Sequence, residues 1–273
     1  IEFIRKNANA DNPFFVCYWP QMVSFIASPM KKTPGRGLLG EGFEKVDAFI
    51  GQVMDELNEL GIAENTLLVA MADNGPMVHD PPPGLGMTET MFSGGKGDFT
   101  EGGVRVPAFA WWPGTIKPDQ VVGDILHVTD LYTTFARIGG ALEYIPTDRV
   151  IDGIDQTSLL LNGDTYSRRD YVHIYNGTVL SATVKAQYKQ NWTVTIPGMV
   201  TTSYYDLQND IREKEPVMVP LLHFNASFVR MKERHEKLKE KYPDKDQAHG
   251  PAFTGISNAR PETKNLEKLY NQY

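Results

Sequence analysis

The sequence predicts an α/β fold, a sheet with flanking helices followed by a small antiparallel sheet with a helix. Two observations carry the first part. The apolar run Leu67-Leu68-Val69-Ala70-Met71-Ala72 reads as a strand buried on both faces, the kind found in parallel sheets. It follows a helix from about Glu41 to Leu60, itself preceded by the apolar run Phe14-Phe15-Val16-Cys17-Tyr18-Trp19. Strand, helix, strand is a βαβ unit and predicts parallel pairing. The third observation is a change of pattern near residue 164. Beyond it, short strand-like runs at Tyr171–Tyr175, Leu180–Tyr188, Trp192–Ile196 and Ser203–Leu207 alternate with turn residues, as in an antiparallel sheet. The expected division is therefore a domain over 1–163 and an α+β subdomain with an irregular tail over 164–273.

In chain order, Ile1 to Asn7 resembles the end of an amphipathic helix, broken by Asp11-Asn12-Pro13. The following strand candidate makes Cys17 a buried core thiol. A Gly- and Pro-containing loop runs through Lys31 to Gly37. In the helix after it, Phe43, Val46, Ile50, Val53, Leu57 and Leu60 recur every three or four residues and form one apolar face. Gly61 is placed to cap it. After the Leu67 strand, an irregular segment from Met77 to about Pro107 is long enough to suggest function. Ala108 to Trp112 is another strand, and Asp124 to Ile138 a short strand and helix stopped by Gly139-Gly140. Phe228 to Tyr242 is a charged, solvated helix with Glu233 and Lys237 spaced for an i,i+4 pair.

Composition sets limits. The chain has 273 residues, 41% hydrophobic and 22% charged, as in ordinary globular proteins. A formal net charge of −7 argues against a generic nucleic-acid binder. No apolar stretch approaches the ~18 residues of a membrane span. One Cys excludes an internal disulfide.

Two segments bear chemistry. Asp73-Asn74-Gly75-Pro76 directly follows the Leu67 strand. Ligands bind at the carboxyl ends of strands in open parallel sheets. A carboxylate and a side-chain amide oxygen there are two hard oxygen ligands suited to Ca²⁺ or Mg²⁺. The second segment, Gly94-Gly95-Lys96-Gly97, lets backbone approach a ligand and an ammonium reach an anion. It is not a P-loop, because Gly97 and not Ser or Thr follows Lys96. A metal-ligand pair and a glycine-held cation together suit a tetrahedral oxyanion ester, with Lys96 balancing charge on the transferred group.

The order Ala72-Asp73-Asn74-Gly75-Pro76, Gly95-Lys96-Gly97, Glu101-Gly102-Gly103-Val104-Arg105-Val106-Pro107, Trp112-Pro113-Gly114 resembles the latter half of a sulfatase of the arylsulfatase type. Ile151-Asp152-Gly153-Ile154-Asp155 and Tyr204-Tyr205-Asp206-Leu207-Gln208-Asn209-Asp210 continue the likeness. The resemblance implies an alkaline-phosphatase-like α/β fold. It implies sulfate-ester hydrolysis with a divalent metal, usually Ca²⁺, held in part by Asp73 and Asn74, and with Lys96 on the substrate sulfate. It implies a formylglycine nucleophile made in a Cys/Ser-x-Pro-x-Arg motif. The substrate would be a small-molecule or carbohydrate sulfate ester, and the compartment periplasmic, extracellular or lysosomal.

The chain departs from that pattern. It contains no Cys/Ser-x-Pro-x-Arg, so the nucleophile is expected upstream and residues 1–273 alone are expected to be inactive. Gln21 to Pro29 lacks the family's His; Val23 or Ser24 stands near its place. A related phosphoester or phosphonate hydrolase, and a non-catalytic sulfatase-like binding protein, are the alternatives. His79 reads as a loop residue without a role, and His127 and His173 as satisfied structural residues. Asn176-Gly177-Thr178, Asn191-Trp192-Thr193 and Asn225-Ala226-Ser227 are glycosylation sequons, and Trp111-Trp112 reads as packing against the sheet.

Overall fold

A computed structural model describes residues 1–20, 37–79, 90–163, 166–196, 199–217 and 222–243. The expectations for Gln21 to Pro29, Lys31 to Arg36, Pro81 to Gly84 and the tail beyond residue 243 lie outside the described residues. Two compact units are present, Ile1–Pro220 and Leu221–Tyr273. The change of pattern near residue 164 falls within the first.

In the first unit, α1 (Glu2–Asn7) is held to the long helix α2 (Gly37–Glu59) by a bidentate ion pair. Arg5 Nε and Nη2 donate to Glu56 Oε1 and Oε2 at 2.7 and 2.6 Å. Helix α2 buries Leu57 almost completely, whereas Phe43, counted on its apolar face, is exposed. Its end is set by Gly61, whose φ of +69° only glycine adopts cheaply. The Ile62 N–H bonds Leu57 O and the Gly61 N–H bonds Asn58 O, both at 3.0 Å. These are the paired bonds of a Schellman cap.

Strand β1 (Leu68–Met71) pairs with β2 (Ala108–Trp111), and the pairing is antiparallel: Leu68 faces Trp111 and Met71 faces Ala108. This corrects the parallel βαβ expectation. That expectation needed Phe14 to Trp19 as a strand beside β1, and this segment makes no ladder among the described residues. Its rings instead meet helices. Tyr18 lies 4.7 Å from Phe49 of α2, and Phe15 lies 6.0 Å from Phe135 of α4 (Val128–Ile138). Cys17 is exposed, correcting its assignment to the core. The antiparallel partner arises because the chain between β1 and β2 doubles back, and the Ala72 N–H extends the ladder to Pro107 O at 3.1 Å.

The run before α4 is irregular and not a strand. His127 caps the helix: its imidazole accepts from the Thr129 N–H, while its own N–H donates to Asp130 Oδ2 at 2.9 Å. This reciprocal capping box satisfies two helix-end donors. A short helix, α5 (Thr157–Asn162), follows.

Strands β3 (Tyr171–Asn176), β4 (Val179–Lys185), β5 (Tyr188–Ile196) and β6 (Met199–Asp206) form the expected antiparallel sheet, in the order β3-β4-β5-β6. Its pattern departs from simple alternation. Lys189, Gln190, Asn191 and Trp192 are buried in succession, so β5 is covered on both faces.

The second unit contributes one described helix, α6 (Leu222–Lys241). The solvated reading needs correction, because Phe228 and Met231 are buried. The i,i+4 ion pair is Lys232 with Glu236, at 3.8 Å. No described helix is long and apolar enough to cross a membrane.

Candidate active site

Three backbone segments meet at the end of β1, and glycine permits the meeting. The Gly75 N–H bonds Gly103 O at 3.1 Å, and the Lys96 N–H bonds Pro76 O at 2.8 Å. A Cβ on Gly75 would stand 1.7 Å from Gly102 O, and one on Gly103 would stand 2.2 Å from Asp98 O. Backbone packs on backbone here, and no other residue type fits these positions without displacing main chain. Asp73-Asn74 and Lys96 are thereby carried on adjoining segments.

Asp73 is exposed, and its Oδ1 accepts the Asn74 N–H at 2.9 Å. Asn74 Nδ2 donates to Gly75 O at 2.8 Å, which commits its amide nitrogen and leaves its Oδ1 as an acceptor. These are two hard oxygen donors side by side, a partial fit to the six to eight oxygens that Ca²⁺ takes. Among the described residues no cluster of three or more His, Cys, Asp or Glu completes a metal shell. The Lys96 side chain is exposed and makes no ion pair among the described residues. His79 does not stand alone: its Nε2 lies 2.6 Å from Asp98 Oδ2, which also accepts the Gly95 N–H at 2.8 Å. His173 Nδ1 lies 2.8 Å from Thr183 Oγ1, in the sheet. Trp112 Nε1 donates to Glu64 O, so its ring edge is used in packing.

Two charge networks, the first of them bracing this region, were not singled out in the sequence. One is centred on Lys189, with no exposed side-chain surface. Its Nζ lies 3.1 Å from Glu101 Oε1 and 3.0 Å from Glu213 Oε1, and Glu213 Oε2 accepts the Glu101 N–H at 2.7 Å. Glu101 opens the one-turn helix α3 (Glu101–Val104) that carries Gly102 and Gly103. Burial pushes the Glu213 carboxyl up, and the neighbouring Lys189 only partly offsets this. The sequence reading left Lys189 among turn residues between the runs Leu180–Tyr188 and Trp192–Ile196, whereas it lies inside β5.

The other network holds the Asp152-Gly153-Ile154-Asp155 segment on α4. Asp130, fully buried, takes a two-pronged ion pair from Arg169 and accepts the Ile154 N–H at 2.8 Å. Arg169 Nη2 also donates to Asp152 O at 2.7 Å. A Cβ on Gly153 would lie 2.2 Å from Thr129 O, which explains the glycine. Burial alone would raise the Asp130 carboxyl, but the Arg169 bonds and the Ile154 and His127 amides outweigh it and hold the group below its ordinary range. The sign follows directly. A depressed folded-state value contributes stability that is complete above the unfolded carboxylate value of about 3.9 and is lost as pH falls through the folded one. Urea denaturation across pH 2 to 7 should therefore show a smaller acid loss for Asp130→Asn, from a lower starting stability, than for the wild type; an identical acid limb would refute the assignment.

This α/β arrangement is shared with solved structures. A Pseudoalteromonas sp. sulfatase, PsFucS1, superposes with a TM-score of 0.69 at 29% identity, over 76% of this chain and 44% of that one. A Bacteroides thetaiotaomicron structure, described under the metabolism of multiple glycosaminoglycans, gives 0.71 at 25% identity over 88% and 52%. The fold is the alkaline-phosphatase-like α/β fold of sulfatases. The sulfatase family model matches residues 34–141. N-acetylgalactosamine-6-sulfatase of Canis lupus familiaris is 34% identical over 200 residues, 71% of this chain and 37% of that protein. Steryl-sulfatase of Rattus norvegicus is 35% identical over 185 residues, 66% and 32% respectively. The chain belongs to the sulfatase family. It spans about a third of the length of these curated relatives.

Proposed function

We propose that this chain serves the hydrolysis of sulfate esters, with Asp73 and Asn74 ligating a divalent cation, Ca²⁺ ahead of Mg²⁺, and Lys96 binding the substrate sulfate. The observation that carries the reading is the glycine-packed junction, where Gly75 bonds Gly103 and Lys96 bonds Pro76. It brings a pair of hard oxygen donors and an exposed ammonium onto adjoining backbone segments. A bound cation would supply Lewis-acid polarisation of the sulfate oxygens. Lys96 would bind a sulfate oxygen and oppose the charge that develops on it. Asp73 would keep Oδ2 for the cation while its Oδ1 stays fixed on the Asn74 amide. Residues 1–163 would form the later part of the catalytic α/β domain and 164–273 the α+β subdomain behind it.

The sequence contains no Cys/Ser-x-Pro-x-Arg. The formylglycine of this reading would therefore lie outside residues 1–273, which alone should be inactive. A carbohydrate sulfate is the favoured substrate class, supported by the names of an N-acetylgalactosamine-6-sulfatase and of a structure from glycosaminoglycan metabolism. A periplasmic, extracellular or lysosomal setting accords with this reading.

The complete gene product carrying this sequence should release inorganic sulfate from a 6-O-sulfated hexosamine or from 4-nitrophenyl sulfate, with chelator abolishing turnover and Ca²⁺ restoring it. Residues 1–273 alone should show no turnover and only weak Ca²⁺ binding by calorimetry. Absence of sulfate release by the complete protein would sink the proposal.

A further inference from the structure

We propose that His79 is the proton donor to the departing alcohol, oriented by Asp98; the inference rests on the sulfate-ester reading above. Sulfate leaving a sugar creates an alkoxide, a strong base that departs slowly unless it is protonated as the S–O bond breaks. A positioned acid is worth about 10²- to 10⁴-fold in such steps.

The dyad shares its backbone with Lys96. Residues 76 to 79 run beside residues 95 to 98: the Lys96 N–H bonds Pro76 O at 2.8 Å, and Val78 stands against Gly95, where a Cβ would meet its Cγ2 at 2.6 Å. Continuing along both segments, His79 Nε2 meets Asp98 Oδ2 at 2.6 Å. The dyad therefore lies on the same pair of segments that presents Lys96. Asp98 is itself fixed, since its Oδ2 accepts the Gly95 N–H at 2.8 Å and its own N–H bonds Gly95 O at 2.9 Å. With Nε2 committed to Asp98, Nδ1 is the nitrogen left for a substrate, and the His79 side chain is 64% exposed, so a ligand can reach it. The charged groups on these two segments are Asp98, bonded to His79, and Lys96. His127 is committed to capping α4, and His173 is bonded within the sheet to Thr183.

The step balances without a further reagent. The attacking oxygen forms its bond to sulfur as the ester S–O bond breaks. The bonding pair moves to the alcohol oxygen, which takes the proton from Nδ1 of the imidazolium. Nε2–H stays on Asp98, and solvent reprotonates Nδ1 before the next turnover. Asp98 acts as a positioning residue.

The test is a comparison of leaving groups in the complete gene product. A nitrophenolate departs without protonation, whereas a sugar alkoxide does not. His79→Gln should lower kcat/KM for a hexosamine 6-sulfate about 10²-fold and that for 4-nitrophenyl sulfate by no more than a few-fold. Asp98→Asn should show the same selectivity to a smaller degree. Equal losses on both substrates, or no loss on the sugar sulfate, would overturn the role of His79 and leave the sulfatase reading intact. Wild-type protein that cleaves neither substrate would overturn both. Because His79 is largely exposed, His79→Gln should melt with the wild type, and a lowered Tm with equal losses would mark a structural role.

Discussion

Lys189→Met should be among the most destabilising single substitutions in this chain. Lys189 has no exposed side-chain surface and sits between Glu101 and Glu213, whose side chains are 7% and 2% exposed. A methionine fills the volume but leaves the buried Glu213 carboxylate without its counter-charge, and Glu101 with Arg105 alone, at 3.5 Å. Breaking a buried ion pair from one side costs about 3–5 kcal/mol, because the remaining charge keeps its desolvation penalty. For a chain of this size that corresponds to a fall in Tm of roughly 6–20 °C. The loss should shrink in acid. Glu213 already titrates above its ordinary range through burial, and removing Lys189 raises it further. A raised carboxyl favours folding fully below its unfolded value and loses that contribution as pH rises through the folded one. Melting curves followed by circular dichroism should therefore show a larger deficit at pH 7 than at pH 4.5. The triple substitution Lys189→Met, Glu101→Gln, Glu213→Gln removes all three charges and should recover much of the loss. A triple variant as unstable as the single one at pH 7 would show that packing, not charge, sets the cost.

Lys96→Ala carries the largest expected effect on turnover. Its ammonium is exposed, and the Gly95 and Gly97 that flank it have no side chains to crowd an approaching anion. Folding should be indifferent to the change, as is usual for an exposed side chain without tight partners. If Lys96 opposes charge on the sulfuryl group, its loss should lower kcat about 10²- to 10³-fold, the range found for a single electrostatic donor in an active site. Lys96→Arg should rescue only in part, since a planar guanidinium cannot occupy the place of a compact ammonium. The check is steady-state sulfate release by the complete gene product beside a melting curve. An alanine variant with wild-type kcat would remove Lys96 from the reaction.

What could be read from the sequence was mostly local. The periodicity of Val46, Ile50, Val53 and Leu57, with Gly61 behind it, locates α2 and its cap, because helix and cap depend on residues a few positions apart. The turn around Gly177 marks the first hairpin for the same reason, whereas the turn at Ala186, with a φ of +50°, falls inside the run Leu180–Tyr188 that reads as a single strand. The direction of β2 beside β1 could not be read this way, because strand pairing depends on where the intervening chain returns. The Asp73-Asn74 pair and Lys96 stood out through residue type and glycine context. The networks around Lys189 and Asp130 did not, since their partners lie 88 and 39 positions away. A buried lysine and a solvated one look alike in a sequence. His79 reads as a plain loop residue because nothing in the order of residues pairs it with Asp98.

The links between the four-stranded sheet region and the glycine junction bear on how such proteins can recombine. Lys189 reaches Glu101, Glu213 holds the Glu101 amide, Ser93 Oγ donates to Arg212 O, and Asn176 Nδ2 donates to Gly97 O at 3.3 Å. Only the Lys189–Glu101 link joins two side chains; the others end on main chain and depend on where the backbone lies. A chimaera joined to a relative near residue 164 would inherit the two halves of each pairing from different parents. Crossovers that keep residues 90 to 217 from one parent would preserve every one of these links.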